Sequence, residues 1–497
     1  MAYVIGFDLG TSSLKGILMN KMGVVIDTLS YSYPILMPKT GFSEQNPEEW
    51  INACQRIIRQ LIEKYPNLKQ DLMGISFSGQ MHSLVVLNKN KEILRNAILW
   101  NDVRTTVQCK QIQELLGDRL IEITQNKPLE RFTLPKLLWL QENEPMIWEQ
   151  VRHIMLPKDY LRFWLTGHIA TDYSDAAGTL LMGLKGKAWS LPLLDLFKVP
   201  QDYLPEIKKS TDMAGKMRKE LKEAFGLTHD IMIYTGGADN ACSAIGAGIL
   251  NSETAMVSIG TSGVFLSYEA EAEVEYKGTL HLFNHAVDDA FYSMGVTLSA
   301  GRSLDWFKNT FAKEASFEEL TSQITDVEPG ANGLFFTPYI AGERTPYADS
   351  TIRGSFIGID ASHTLKYFTR AAMEGITFSL KDSQMLMQTI ANKSFKKIIS
   401  TGGGARNPNW LHMQADIFDS PIVCLKTEQG HGFGAAMLAA IGLGWYRSIE
   451  ECAKQIVHYT EPIFPNPKNV SIYTPIYEHY RAIYPAIHSL SSYQKIK

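Results

Sequence analysis

Apolar positions along this chain gather into short β-rich runs, and between those runs they recur at spacings of three and four. The opening run, Val4-Ile-Gly-Phe-Asp-Leu, meets Gly10-Thr-Ser-Ser13 and then a second apolar run, Leu14 to Leu18. This is the pattern of a strand, a tight turn and a returning strand. Ala255 to Leu266 repeats it around Gly260-Thr-Ser-Gly263, about 250 residues later, and repetition at that scale predicts a duplicated domain. Small residues at such turns let backbone N–H groups converge on an anion. Asp8 in the first strand has Ser258 as its counterpart in the second, so a metal and phosphate are expected at the first turn and phosphate alone at the second.

Between the hairpins the pattern alternates. Asn46-Pro-Glu-Glu-Trp50 predicts a helix start, with Asn as the cap and acids near the positive end, running to about Lys64. Leu72 to Ser78 and Ala97 to Trp100 read as strands that end in the polar groups Gly79-Gln-Met-His82 and Asn101-Asp-Val-Arg104. Ends of sheet strands are where α/β folds build sites. Residues 105–170 read as helical, Thr171–Gly178 as an acidic loop, and 189–217 as irregular. Ile231-Met-Ile-Tyr234 predicts a strand leading through Thr235-Gly-Gly-Ala-Asp-Asn240 into a small-residue helix. In the second half Ile398 to Asn407 reads as a strand, a glycine turn and a helix entry, and Gly430-His-Gly-Phe-Gly434 opens an alanine-rich helix. The expected fold is α/β, with domains 1–245 and 246–497.

Composition narrows the function. Lys plus Arg number 48 against 52 Asp plus Glu in 497 residues, which argues against nucleic acid as the main partner. No apolar run is long enough to span a membrane, and the first residues carry no basic leader, so neither a membrane nor a signal peptide is expected. Five scattered cysteines without a CxxC pair fit reduced thiols in a cytoplasm. His281 and His285 stand four apart among strand-like neighbours and read as structural.

Phosphate chemistry without a P-loop fits the rest, because GxxxxGK[ST] is absent. The two hairpins and Gly402-Gly-Gly404 would grip ATP, and Mg²⁺ reached through water would satisfy Asp8, an acid in an apolar strand. Asp239, at a strand-to-helix junction, reads either as a helix cap or as a base for an attacking hydroxyl. Gln80, Met81, His82, Trp100, Asp102 and Arg104 offer polar groups for hydroxyls and an aromatic face for C–H groups.

The hairpins resemble the phosphate loops of the actin-like ATPases. Gly79-Gln-Met-His82, Trp100-Asn-Asp102, Leu156-Pro-Lys-Asp-Tyr160, Ser174-Asp-Ala-Ala-Gly178, Asp239-Asn240, Gly342-Glu-Arg-Thr-Pro346 and Gly402-Gly-Gly-Ala405 resemble, in order, the FGGY carbohydrate kinases. The resemblance implies two actin-like (ribonuclease H-like) domains with a nucleotide/sugar cleft between them, and ATP-dependent phosphorylation of D-xylulose at its 5-hydroxyl. By the same resemblance Asp239 is the catalytic base and Asp8 the metal-linked acid. Gln80, Met81, His82, Trp100, Asp102 and Asn240 face the sugar. Thr11, Ser12, Ser13, Gly260, Thr261, Gly301, Gly402, Gly403 and Asn407 face the nucleotide. Lys136 and Trp139 match part of a family signature. Arg131 and His431 depart from the pattern, and neither is expected to touch the chemistry. Ribulose and gluconate are rival substrates. An actin-like ATPase without a sugar and an idle sugar sensor are rival functions, and a homodimer is one assembly left open.

Overall fold

The computed structural model describes residues 2–427 and 430–491, with no account of the Ser491 side chain. The chain forms two compact units. One comprises residues 2–250, 283–292 and 430–457; the other comprises 251–282, 293–427 and 458–491.

The first unit is built on a seven-stranded sheet. Its order is Met213–Lys216, Met232–Tyr234, Leu72–Gly79, Tyr3–Leu9, Ser13–Asn20 and Val25–Ser32, and Gly237–Ala238 also pairs with Leu72–Gly79. The opening hairpin closes in antiparallel register from Tyr3↔Asn20 to Leu9↔Leu14. Leu72–Gly79 lies parallel to the first strand and sets Asp8 opposite Ser78. Helix Pro47–Lys64 starts as its sequence dictates, with Asn46 Oδ1 accepting the Glu48 N–H at 3.1 Å. Its Trp50, Ile57, Ile58 and Leu61 join Phe7, Ile75 and Phe77 in one core. Helix His431–Gly442 is apolar on every side, so it is buried. It packs so tightly on the first strand that a Cβ on Gly6 would lie 2.1 Å from the Gly432 carbonyl oxygen.

The second unit repeats the plan. Its sheet is built on Gly263–Glu269, Thr254–Ile259, Lys397–Gly402 and Ile422–Cys424, in that order. The hairpin pairs Ala255↔Ser267 through Ile259↔Gly263, and the parallel strand sets Ser258 opposite Thr401. Ser258 therefore occupies the register position that Asp8 holds in the first sheet, as duplication requires. The 27-residue helix Leu365–Ala391 and the tail helix Pro467–Ser491 complete this core.

Three expectations need correction. Thr171–Gly178 is not a loop: Ala170–Asp172 is a strand and Tyr173–Ala177 a short helix, whose N-terminus Asp172 caps through the Ser174 N–H at 2.8 Å. The acids there are buried against a lysine, so a polar run folds inward. The stretch 189–217 holds helix Leu191–Phe197 and the strands Glu206–Lys208 and Met213–Lys216. The strand expected at Ala97–Trp100 shortens to Ala97–Ile98, which pairs with the two-residue strand Glu44–Gln45 and bridges Leu84 through Ile98.

Candidate active site

Asp239 opens helix Asp239–Gly246 directly after the two-residue strand Gly237–Ala238. The turn leading to it is held peptide by peptide. Thr235 donates its N–H to the Asp212 carbonyl at 3.0 Å, and the Thr235 carbonyl accepts from Arg162 Nη1 at 2.6 Å. Gly236 has φ +79° and crosses so close to the central strand that a Cβ would lie 2.1 Å from the Phe77 carbonyl oxygen, so only glycine fits. The Asp239 carboxylate does not cap the helix in the usual way, since Ala238 holds the cap position. Its Oδ1 accepts from the N–H of Asn240 at 2.6 Å and from Asn240 Nδ2 at 2.8 Å. Burial raises the Asp239 pKa to about 6; the nearby Asp8 charge adds to the rise, while His431 and the Asn240 donors oppose it.

Asp8 Oδ1 is buried without a hydrogen bond and lies 3.5 Å from His431 Nδ1. Burial alone would lower the His431 pKa, but the Asp8 carboxylate outweighs it and lifts the imidazole to about 9. His431 was expected to stand clear of the chemistry; instead it faces one candidate acid and bears on the charge of the other. The Arg131 guanidinium sits over the ring of another candidate residue, Trp100, 5.1 Å from the centroid.

Of the residues proposed for sugar, Asn240 and Met81 meet beside Asp239. Asn240 Nδ2 also reaches Met81 Sδ at 3.8 Å, and the Tyr292 hydroxyl reaches the same sulfur at 3.7 Å. His82 follows with left-handed φ of +66°, which bulky residues rarely adopt. Its Nδ1 lies 2.6 Å from the Gly178 carbonyl oxygen, a contact that places a proton on Nδ1. The His82 carbonyl is gripped by Thr133 Oγ1 at 3.0 Å and by Lys136 Nζ at 3.3 Å. The ring packs edge-on against Phe132, with centroids 4.6 Å apart. Gln80 is buried, its N–H on the Leu9 carbonyl at 2.9 Å, and its Nε2 has no partner. Trp100 Nε1 donates to Thr11 Oγ1 at 2.8 Å and so ties the aromatic face to the first hairpin turn. Asp102 stands apart from this group. It is fully buried, accepts from Ser43 N–H at 2.6 Å, and pairs with Arg104 Nη2 at 2.7 Å.

At the first turn Gly10 N–H closes on the Ser13 carbonyl at 3.0 Å, and Ser12 is exposed. In the second unit the equivalent closure runs from Gly260 N–H to the Ser262 carbonyl at 3.0 Å, and Gly260 and Thr261 are exposed. Gly301 donates to the Gly260 carbonyl at 2.7 Å, so the start of helix Gly301–Phe311 abuts the hairpin turn. Glu343 holds that helix entry by accepting the Leu298 N–H at 3.0 Å. Gly402 ends the parallel strand beside Ile259, and Gly403 is exposed after it. Asn407 caps helix Pro408–Phe418 with Oδ1 on the Trp410 N–H at 3.0 Å, and its Nδ2 is spent on Thr321 Oγ1 at 2.6 Å.

Sequence reasoning did not single out Tyr292, Phe132 or Thr133. No local pattern marks them, because each reaches Met81 or His82 across 50 or more positions of chain.

Comparison with known proteins agrees with this geometry. Residues 3–246 match the N-terminal domain, and residues 255–443 the C-terminal domain, of the FGGY family of carbohydrate kinases. A xylulose kinase of Lactococcus lactis subsp. lactis (strain IL1403) is 55% identical over 485 residues, 97% of each chain. The ligand-bound xylulose kinase of Lactobacillus acidophilus superposes with a TM-score of 0.95 at 28% identity over 100% of both chains. The gluconate kinase of the same organism gives 0.93 at 29% identity over 98% of each. Two matched domains in order, over most of the length, place this chain in the FGGY family of carbohydrate kinases.

Proposed function

We propose that this chain phosphorylates the terminal 5-hydroxyl of D-xylulose from ATP and Mg²⁺, giving D-xylulose 5-phosphate. The observation that carries the reading is the run of contacts from Met81 through Asn240 to one buried carboxylate, Asp239, near a second acid, Asp8, that has no hydrogen bond on its inner oxygen. The 55% identity to a xylulose kinase favours that ketose over gluconate, since the fold itself accommodates both sugars.

Phosphoryl transfer asks the protein for aim and for charge neutralisation. Asn240 and the Met81-His82 pair orient the sugar. Asp239 accepts the proton of the attacking oxygen; a carboxylate with a pKa near 6 is ionised at neutral pH and more basic than an exposed one. The orphaned Asp8 oxygen fits a cation. Among the described residues no three His, Cys, Asp or Glu side chains cluster as a metal cage, so Asp8 would hold Mg²⁺ largely through water and phosphate oxygens. Bound there, the ion would neutralise phosphate charge. In the first unit Thr11, Ser12 and Ser13 offer hydroxyls and backbone N–H groups suited to phosphate; in the second, Gly260, Thr261, Gly301, Gly402 and Gly403 offer a side-chain-poor surface suited to a nucleotide. Asn407 would contribute through its backbone, because its side chain is already committed. No helix among the described residues is long and apolar enough to cross a membrane.

A panel of D-xylulose, D-ribulose, gluconate and glycerol, each with ATP–Mg²⁺ and coupled detection of ADP, tests the reading. D-Xylulose should show the highest kcat/KM by at least about tenfold. Preference for gluconate or ribulose, or ADP release that ignores every sugar, would overturn it.

A further inference from the structure

Two motifs that carry no chemistry in the mechanism, Leu156-Pro-Lys-Asp-Tyr160 and Ser174-Asp-Ala-Ala-Gly178, fold against each other in the first unit. They form an ion cluster with no solvent exposure. Lys158 Nζ lies 2.7 Å from Asp159 Oδ1, 2.8 Å from Asp172 Oδ1 and 3.1 Å from Asp175 Oδ2, and Arg162 Nη1 lies 2.9 Å from Asp159 Oδ1. Burial pushes Asp175 well above the usual carboxylate range, against the pull of Lys158. Burying such a cluster is costly unless every charge is paired and the geometry is fixed, so it makes a stiff support.

The cluster touches the turn before Asp239 at both ends. Arg162 Nη1 donates to the Thr235 carbonyl at 2.6 Å. At the other end Ser174 Oγ donates to Asp172 Oδ2 and accepts the N–H of Ala238, the residue before Asp239, at 2.9 Å. One hydroxyl thus links the buried ions to the last peptide before the candidate base. Ser174 itself is fully buried and offers nothing to a substrate.

We propose that Ser174, fixed by Asp172, is a positioning residue for Asp239: its hydroxyl relays the rigidity of the buried ion cluster to the Ala238 peptide and so sets where the carboxylate points. The inference rests on Asp239 being the base. Misplacement of a reacting group by about 1 Å can cost on the order of 10²-fold in rate. Loss of this link should therefore act on kcat and leave the binding of both substrates alone.

The test compares the full-length parent with Ser174→Ala, Ser210→Ala and Asp239→Asn in steady-state kinetics with D-xylulose and ATP–Mg²⁺, alongside thermal melts. Ser210 is the structural control: its buried hydroxyl also bonds Asp172 Oδ2, at 3.3 Å, but its side chain makes no bond to the Ala238 peptide. Ser174→Ala should lower kcat by about tenfold or more with both KM values within about twofold of the parent, while Ser210→Ala keeps kcat within about twofold. Parental kcat in Ser174→Ala beside an inactive Asp239→Asn would overturn the positioning role and leave Asp239 as the base. An equal fall in kcat in both serine variants would show general loosening and overturn it too. Parental turnover by Asp239→Asn would remove both the base and its support.

Discussion

Lowering the pH should switch the enzyme off earlier than an ordinary carboxylate base would allow. Burial and the neighbouring Asp8 charge move Asp239 from 3.8 to about 6, against the pull of His431 and the two Asn240 donors. A base must be ionised to accept a proton, so rate follows the ionised fraction. With a pKa near 6 that fraction is about 0.9 at pH 7 and about 0.1 at pH 5, so kcat/KM should fall roughly tenfold between them. An acid titrating at 3.8 would lose less than about a tenth of its activity over the same range. His431 stays protonated throughout, because its pKa stands near 9, so the limb belongs to Asp239. Folding runs the other way. The folded pKa exceeds the unfolded one, so this group's contribution to stability is present in full below about 4 and is lost as pH rises through about 6. The loss of rate on acidification therefore cannot be put down to this residue unfolding the chain. The assay is initial rate at low D-xylulose with saturating ATP–Mg²⁺, from pH 5 to 8, with the coupling enzymes shown to be in excess at each pH. A flat profile between pH 5 and 7 would refute the argument.

Other perturbations follow from single contacts. Lys136→Met should raise the KM for sugar and cost about 1–3 kcal/mol of stability by denaturant titration, because Nζ donates to the carbonyls of His82, Glu130, Arg131 and Phe132, and only His82 and Glu130 keep a second side-chain donor, Thr133 Oγ1 and Thr105 Oγ1. Gly6→Ala should destabilise the chain by about 3 kcal/mol or more and lower its yield, since the new methyl would meet the backbone of Gly432 and Ala436, which cannot rotate away. Asp175→Asn should melt higher than Asp172→Asn, because burial already works against the charge of Asp175, whereas Asp172→Asn strips from Lys158 a carboxylate that also caps Tyr173–Ala177.

Much of the scaffold was legible because local rules and tertiary packing agree in it. The hairpins Tyr3–Asn20 and Thr254–Glu269 carry strand patterning up to small-residue turns, and Asn46-Pro47 announces a helix that the structure starts at the same place. The acidic stretch after Thr171 misled, because acids in a row ordinarily face water. Here Lys158 and Arg162, brought from another helix, make it cheaper for Asp172 to turn inward and cap Tyr173–Ala177. No spacing in the sequence records that meeting. The site shows the same division. Asp239-Asn240 and Met81-His82 stand out as short polar breaks after strands. Tyr292, Phe132 and His431 reach the same place from distant elements and look like core or loop residues in isolation. His431 in particular reads as a substitution in a glycine-rich helix entry, and only the packing of His431–Gly442 on the first strand sets it opposite Asp8.

Phosphorus NMR of the product made from D-xylulose and ATP–Mg²⁺ by the purified chain, run beside Asp239→Asn, tests the central claim most directly. The account predicts a phosphate monoester coupled to the two protons on C5, formed by the parent and absent from the variant. An ester on any other carbon, or the same ester formed at the parental rate by Asp239→Asn, would contradict it.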